Sequence, residues 1–393
     1  MSTILPQAGA GASRSATAAA SSAGAAPAPA RPARLMSLDA LRGFDMFWIV
    51  GADALVEALR KVSDAGPVRG LAGQLEHTAW QGFHFEDLIF PMFVFIVGVS
   101  LVFSLGRALE QGGRRAAVWR IARRAVLLYL LGVFYYGGLA TPFDQIRLLG
   151  VLQRIALAYL FAGLIFCYCG PRGRALWCLG LLLGYWLVMT FVPVPGGTAG
   201  NFAEGHNLAN WVDKHYLPLR KWDGDHDPEG LLSTLPAIAN CLLGVFAGLW
   251  LRDAKRSDRT KVCWLAAAGA AMVALGWLWD LQFPVIKKIW TSSFVLVACG
   301  YSCLLLALFH YVIEVRGWRR WARPFVWIGM NPITLYLLCN LVDLGQIAHR
   351  FVGGDFARLC FGRYGDLAAA AVAMAMVFGI AGFLYRRKIF LRV

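Results

Sequence analysis

The sequence predicts an all-α fold: a polytopic transmembrane helical bundle of about ten spans with both termini cytoplasmic. Three observations carry this expectation. Hydrophobic residues make up 58% of the 393-residue chain and charged residues only 16%, where a soluble domain carries about 25%. Mean hydropathy is +0.56. The apolar residues also recur in runs of about 20, the length that crosses a ~30 Å hydrocarbon core as a helix. A transmembrane β-barrel would show short alternating segments instead.

Taken in order, residues 1–33 are rich in Ala, Ser, Gly and Pro and have no apolar core of the kind a signal peptide needs, so a disordered cytoplasmic tail is expected. The membrane domain follows over 34–393. Its expected spans lie near 37–59, 86–106, 120–138, 149–169, 174–192, 230–251, 262–280, 290–313, 324–343 and 367–385. Placing the N-terminus in the cytoplasm gives the cytoplasmic segments a roughly twofold excess of Lys and Arg, including Arg114, Arg115, Arg123 and Arg124 and the terminal Arg386, Arg387 and Lys388. His77 then faces the exterior. The net charge of +15 sits in loops, where it sets orientation and meets anionic lipid, so nucleic acid is not an expected partner. The exterior loop 193–229 holds three of the seven histidines, and Trp211, Tyr216, Leu217 and Trp222 in it predict a folded cap over the membrane mouth. The nine cysteines include no CxxC pair, and no disulfide framework and no metal site are expected.

Several polar groups interrupt the apolar runs. Asp39 and Arg42 in SLDALRGFD can pair at i, i+3. Asp45 and Asp53 follow on roughly one helical face, and charges within a span face a cavity or a partner. Gly43 and Gly51 would admit a close neighbour. His77 stands before the second span in HTAWQGFHFED. An imidazole titrates near ~6.5 and can take a proton at neutral pH. Asp87 either orients that ring, if the intervening loop folds back, or caps the helix N-terminus. Arg147 and Arg154 stack on one face, as a buried salt bridge or as a clamp for an anionic ligand. Asp227 and Glu229 in DPEG are placed to cap the sixth span. Asn331 and Pro332 break the ninth, and such kinks line cavities.

Together these blocks resemble the heparan-α-glucosaminide N-acetyltransferase family: SLDALRGFDMFW, then His77-x-x-Trp80-x-Gly82 with Asp87 and FPMFVFIVG, then IRLLGVLQRIALAYL, DPEGLLSTLPAI, PVIKKIWTSSFVL and IGMNPITLYL, in family order from residue 37 to about 340. The resemblance implies a transmembrane acetyltransferase that moves an acetyl group from cytosolic acetyl-CoA to the amine of a terminal glucosamine. It implies that His77 is the catalytic histidine. Asp53 matches a reaction-centre position where the animal enzyme has asparagine. From the resemblance, the N-terminal lumenal domain and the first span of the animal protein are not expected here, which agrees with the expectation of ten spans rather than eleven.

The expected site therefore comprises His77, Asp53 and Asp87 as catalytic groups. Trp80, Asp45, Arg147, Arg154, Asp227, Glu229 and Asn331 are expected on the acceptor, and Arg42 and Asp39 on acetyl-CoA. General-base catalysis by His77 and an acetyl-histidine intermediate are both open. The expected partners are an amino-sugar or glycan acceptor and membrane lipid, with a homodimer as an open arrangement. The expected location is the inner (plasma) membrane. A transporter of a sugar or organic anion, or an O-acyltransferase, would use the same membrane charges; the paired repeats common in transporters are not evident.

Overall fold

The computed structural model describes residues 35–391; the expected tail 1–33 lies outside the described residues. The first apolar segment forms α1 (Met36–Phe47), a π-helical turn (Trp48–Ala52) and α2 (Asp53–Val62). Gly51 sits in the turn at φ 127°, a conformation that a side chain with a Cβ rarely adopts. The turn breaks the register between Asp45 and Asp53, which the sequence placed on one face. Asp45 is fully buried, and Asp53 is exposed.

A short helix α3 (Gly66–Gln74) leads to α4 (Phe85–Tyr135). The 51 residues of α4 would extend about 77 Å at 1.5 Å per residue, far beyond one bilayer crossing. Gly113 breaks it at φ 70° and ψ −169°, so two helical arms meet there. The remaining elements are α5 (Val151–Tyr168), α6 (Pro171–Phe191), α7 (Leu208–Tyr216), α8 (Thr234–Arg252), α9 (Asp258–Asp280), α10 (Ser292–His310), α11 (Arg323–Gly329), α12 (Pro332–Leu341), α13 (Leu344–Val352), α14 (Gly354–Phe361) and α15 (Gly365–Arg386). Among the described residues, β pairing is limited to isolated bridges.

Seven of the described helical segments are long and apolar enough to cross a membrane, or eight if the α11–α12 pair, bent by 76°, counts as one. The bend falls at Asn331–Pro332, as expected from a proline that cannot continue a helix. Small residues set the closest crossings. A Cβ on Gly98 of α4 or on Gly244 of α8 would overlap the other helix's backbone carbonyl, and Asn240 of α8 donates to the Pro91 carbonyl of α4 at 3.1 Å. Gly43 of α1 and Gly329 of α11 make a second such crossing. The outer faces of α6 and α9 expose Leu176, Trp177, Leu179 and Leu187, and Trp264, Leu275 and Leu278. An apolar belt of this extent is a lipid-facing surface, and the protein is a multi-pass membrane protein.

The expected cap contains the helix α7, started by the Asn207 side chain accepting from the Asn210 N–H at 2.9 Å. The cap reading of Asp227 and Glu229 does not hold. Helix α8 begins at Thr234, and Asp227 accepts instead from the backbone N–H groups of Trp222 and Glu229, at 3.0 Å each.

Candidate active site

The loop between α3 and α4 folds back, so that His77 reaches Asp87. Three contacts pin it. Gln81 bridges to Ile286; Gly82, at φ 120°, donates its N–H to the Val285 carbonyl at 2.9 Å; and the Trp80 indole N–H donates to the Phe202 carbonyl of the cap at 2.9 Å.

His77 Nδ1 then lies 3.2 Å from Asp87 Oδ1. The other carboxylate oxygen, Oδ2, accepts from Thr78 Oγ1 at 3.1 Å and from the His84 N–H at 3.0 Å. Both readings of Asp87 therefore hold together. It closes a capping box at the start of α4 and orients the imidazole. The Asp87 side chain is 1% exposed, whereas that of His77 is 61% exposed.

Lys287, from the segment joining α9 to α10, completes the cluster. Its Nζ stands 3.3 Å from Asp87 Oδ1 and 3.1 Å from His77 Nδ1. Burial pulls this ammonium below the ordinary lysine range, against the attraction of Asp87 and Glu86. Asp87 and Lys287 compete for one ring nitrogen. A proton on Nδ1 donates to the carboxylate and leaves a lone pair on Nε2; without that proton, Nδ1 accepts from the ammonium and Nε2 carries the hydrogen. The carboxylate therefore favours the tautomer in which Nε2 is the base.

A cavity of about 450 Å³ is lined by His77, Asp87 and Lys287 together with Asp53, Trp80, Glu86, Lys288 and Glu229. Along α4 its wall continues through Ile89, Phe90 and Phe93, so it follows one helical face for about 10 Å from Glu86. Met46, Ile49, Ile155 and Ile333 add apolar surface, and Tyr135 stacks on Tyr336 at a centroid distance of 4.5 Å. Titratable groups and an apolar passage thus share one cavity.

The remaining expected residues divide. Arg147 borders the cavity, but its guanidinium is taken. It donates to Asp227 at 2.9 and 2.6 Å and to Glu229 at 2.5 Å, and lies over the rings of Tyr136 and Trp222 at 4.6 and 4.8 Å. Burial alone would lower its pKa, yet the two carboxylates hold it above the ordinary value. The salt-bridge reading of Arg147 is the one realised. Asp227, spent on this pair, is not in the cavity lining.

Arg154 is buried, donates to Ser233 Oγ and to the Gly230 carbonyl, and lies over the Trp290 ring at 4.8 Å. Asn331 Oδ1 accepts from the Leu391 N–H at 3.3 Å. Asp39 and Arg42 pair at 3.1 Å, and Arg42 also donates to Ser100 Oγ and to the Gly329 carbonyl, which ties α1 to α4 and α11. Asp45 is buried with no hydrogen-bond partner on either carboxylate oxygen among the described residues. None of Arg154, Asn331, Asp39, Arg42 and Asp45 lines the cavity.

Lys287, Glu86, Trp48 and Tyr336 were not singled out from sequence. The signals for Lys287 are its place in the family-like block PVIKKIWTSSFVL and the pair of lysines there, which by itself reads as ordinary loop charge beside a span.

The family model described as heparan-alpha-glucosaminide N-acetyltransferase, catalytic, matches residues 34–278, from the start of α1 nearly to the end of α9. The chain belongs to this family. The human protein named heparan-alpha-glucosaminide N-acetyltransferase is 30% identical over 369 residues, covering 78% of this chain and 53% of the human one. The mouse protein of the same name is 26% identical over 321 residues, covering 67% and 48%. The chain spans about half the length of the curated relatives it matches. Most of the cavity-lining residues, including His77, Asp87, Arg147 and Glu229, fall inside the matched catalytic region; Lys287 and α12 lie beyond it.

Proposed function

We propose that this family member is a multi-pass N-acetyltransferase that moves an acetyl group from cytosolic acetyl-CoA to the amine of a terminal glucosamine-type sugar on the extracytoplasmic side of the inner (plasma) membrane. The observation that carries the reading is the His77–Asp87 pair at the end of an apolar cavity, with Asp87 on Nδ1. The names of the human and mouse relatives support N-acetyl transfer to a glucosaminide.

In this reading the two arms of α4 are separate spans, and α1 with α2 forms a broken one. The bundle then has ten spans with both ends cytoplasmic, and Arg114 and Arg115, beside the Gly113 break, lie on the cytoplasmic side. Residues 193–229 form the exterior cap.

The charged nucleotide of acetyl-CoA stays on the cytoplasmic side, while its thin thioester arm enters the apolar passage. The sugar amine approaches from outside. As the amine nitrogen attacks the thioester carbon, the C–N bond forms and the C–S bond breaks. His77 Nε2 takes the proton the amine loses, and Asp87 stabilises the resulting imidazolium. The departing thiolate recovers a proton from that imidazolium, which resets the base. Asp53 and Glu86, both on the cavity wall, hold the amine end of the acceptor.

The test is transfer across a sealed membrane. Purified protein in liposomes is given labelled acetyl-CoA in one compartment and glucosamine in the other. Label recovered in an amide that survives mild base supports the reading. No transfer, or a base-labile ester, overturns it.

A further inference from the structure

A second cluster of ligating side chains lies in the cap, separate from the His77–Asp87 pair. Glu204, Asp223 and His226 present ligand atoms that all lie within 4.8 Å of one another. His226 is only 5% exposed. Its Nδ1 lies 2.8 Å from Asp225 Oδ1. Lys214 Nζ stands 3.0 Å from Asp225 Oδ2, and a carboxylate paired in this way only accepts, so Nδ1 carries the hydrogen. That leaves the lone pair on Nε2, which has no hydrogen-bond partner.

Nε2 points into a gap between two carboxylates. Glu204 Oε1 and Asp223 Oδ2 stand 3.8 and 3.9 Å from it, too far for a hydrogen bond. Ligand atoms held about 2.1 Å from a tetrahedral zinc lie about 3.4 Å apart, so the two distances to His226 Nε2 need shorten by only about half an ångström, and the two carboxylate oxygens, within 4.8 Å of each other, by at most about 1.4 Å. A carboxylate on the far nitrogen of a ligating histidine is the usual device for fixing its tautomer and raising its basicity. Asp225 occupies that position.

The same two oxygens already attract a cation. Lys288 Nζ stands 2.7 Å from Glu204 Oε1 and 3.1 Å from Asp223 Oδ2. Lys288 spans the two carboxylates, but the Nε2 lone pair of His226 receives no hydrogen bond from its ammonium. A metal ion would satisfy all three groups at once.

We propose that Glu204, Asp223 and His226 bind a zinc-class divalent cation, with Lys288 as the resident cation that it displaces. Asp223 and Lys288 both line the 450 Å³ cavity, so the exchange takes place at the rim of the candidate active site and releases the Lys288 ammonium there. The inference does not depend on the acetyl-transfer reading.

The experiment is calorimetric titration of zinc chloride into the chelator-treated, detergent-purified full chain. The expected result is one zinc per chain, weakened at least tenfold in His226→Ala and tightened at least tenfold in Lys288→Met, which removes the competing charge and keeps the stem. A wild-type chain and a Lys288→Met variant that both bind no zinc would overturn the proposal. So would an affinity that His226→Ala leaves unchanged. Should His226→Ala fail to fold, Lys288→Met decides alone, and an affinity equal to wild type rejects the site.

Discussion

Replacing Asp87 by Asn tests the orientation of the imidazole. Asparagine keeps the shape and one acceptor, so it can still receive the His84 and Thr78 groups that close the start of α4. What it loses is the charge 3.2 Å from His77 Nδ1. Its amide would also donate toward Nδ1, which favours the tautomer with hydrogen on Nε2, wrong for a base. Two unit charges 4 Å apart attract by about 4 kcal/mol at an effective dielectric of ~20 and about 1 kcal/mol in water. His77 is 61% exposed, and Lys287 shares the same carboxylate at 3.3 Å, so screening leaves about 2–3 kcal/mol. Since 1.36 kcal/mol is tenfold, kcat/KM for acetyl transfer should fall roughly 30- to 200-fold. The melting temperature should also fall, because the capping acceptor remains but Lys287 loses the buried carboxylate 3.3 Å away. Steady-state assays at pH 7.5 on both proteins measure this. A variant within threefold of wild type would show that Asp87 only caps the helix.

Three further outcomes follow from the packing and the charges. Gly43→Ala should destabilise the fold by about 3 kcal/mol, since its Cβ would overlap the Phe325 carbonyl of α11, and thermal unfolding in detergent would read this as a lower midpoint. Arg147→Gln should cost about 3–5 kcal/mol by leaving the buried Asp227 and Glu229 without their cation, measured in the same way. Burial moves the Asp213 carboxyl from 3.8 to about 6. The folded state therefore holds that proton more tightly than the unfolded chain; its stabilising share is complete below pH ~4 and is lost as pH rises through about 6, amounting to about 3 kcal/mol. Asp213→Asn should remove that pH dependence from the unfolding curve.

The bundle was legible because its apolar runs match the bilayer thickness, and the Asn331–Pro332 break was legible because proline cannot sit inside a helix without consequence. His77 and Asp87 could be named as candidates from one short stretch. That they meet could not be derived there, since the fold-back depends on Gln81 and Gly82 pairing with Val285 and Ile286, some two hundred residues away. Lys287 arrives through the same pairing, and a lysine beside a span carries no local sign of such a role. Helical periodicity failed for Asp45 and Asp53 because one π turn with a positive-φ glycine shifts the register. Spacing could not separate the two readings of Arg147 either. The carboxylates that decide them, Asp227 and Glu229, come from another part of the chain and looked like helix caps.

The central claim is that His77 is the base that takes the amine proton. Its most direct test is a single-turnover measurement of His77→Ala, with acetyl-CoA binding followed in the same preparation. The account predicts acetyl transfer slowed by at least about a hundredfold with acetyl-CoA affinity within a few-fold of wild type. Transfer at the wild-type rate by a variant lacking the imidazole would contradict it.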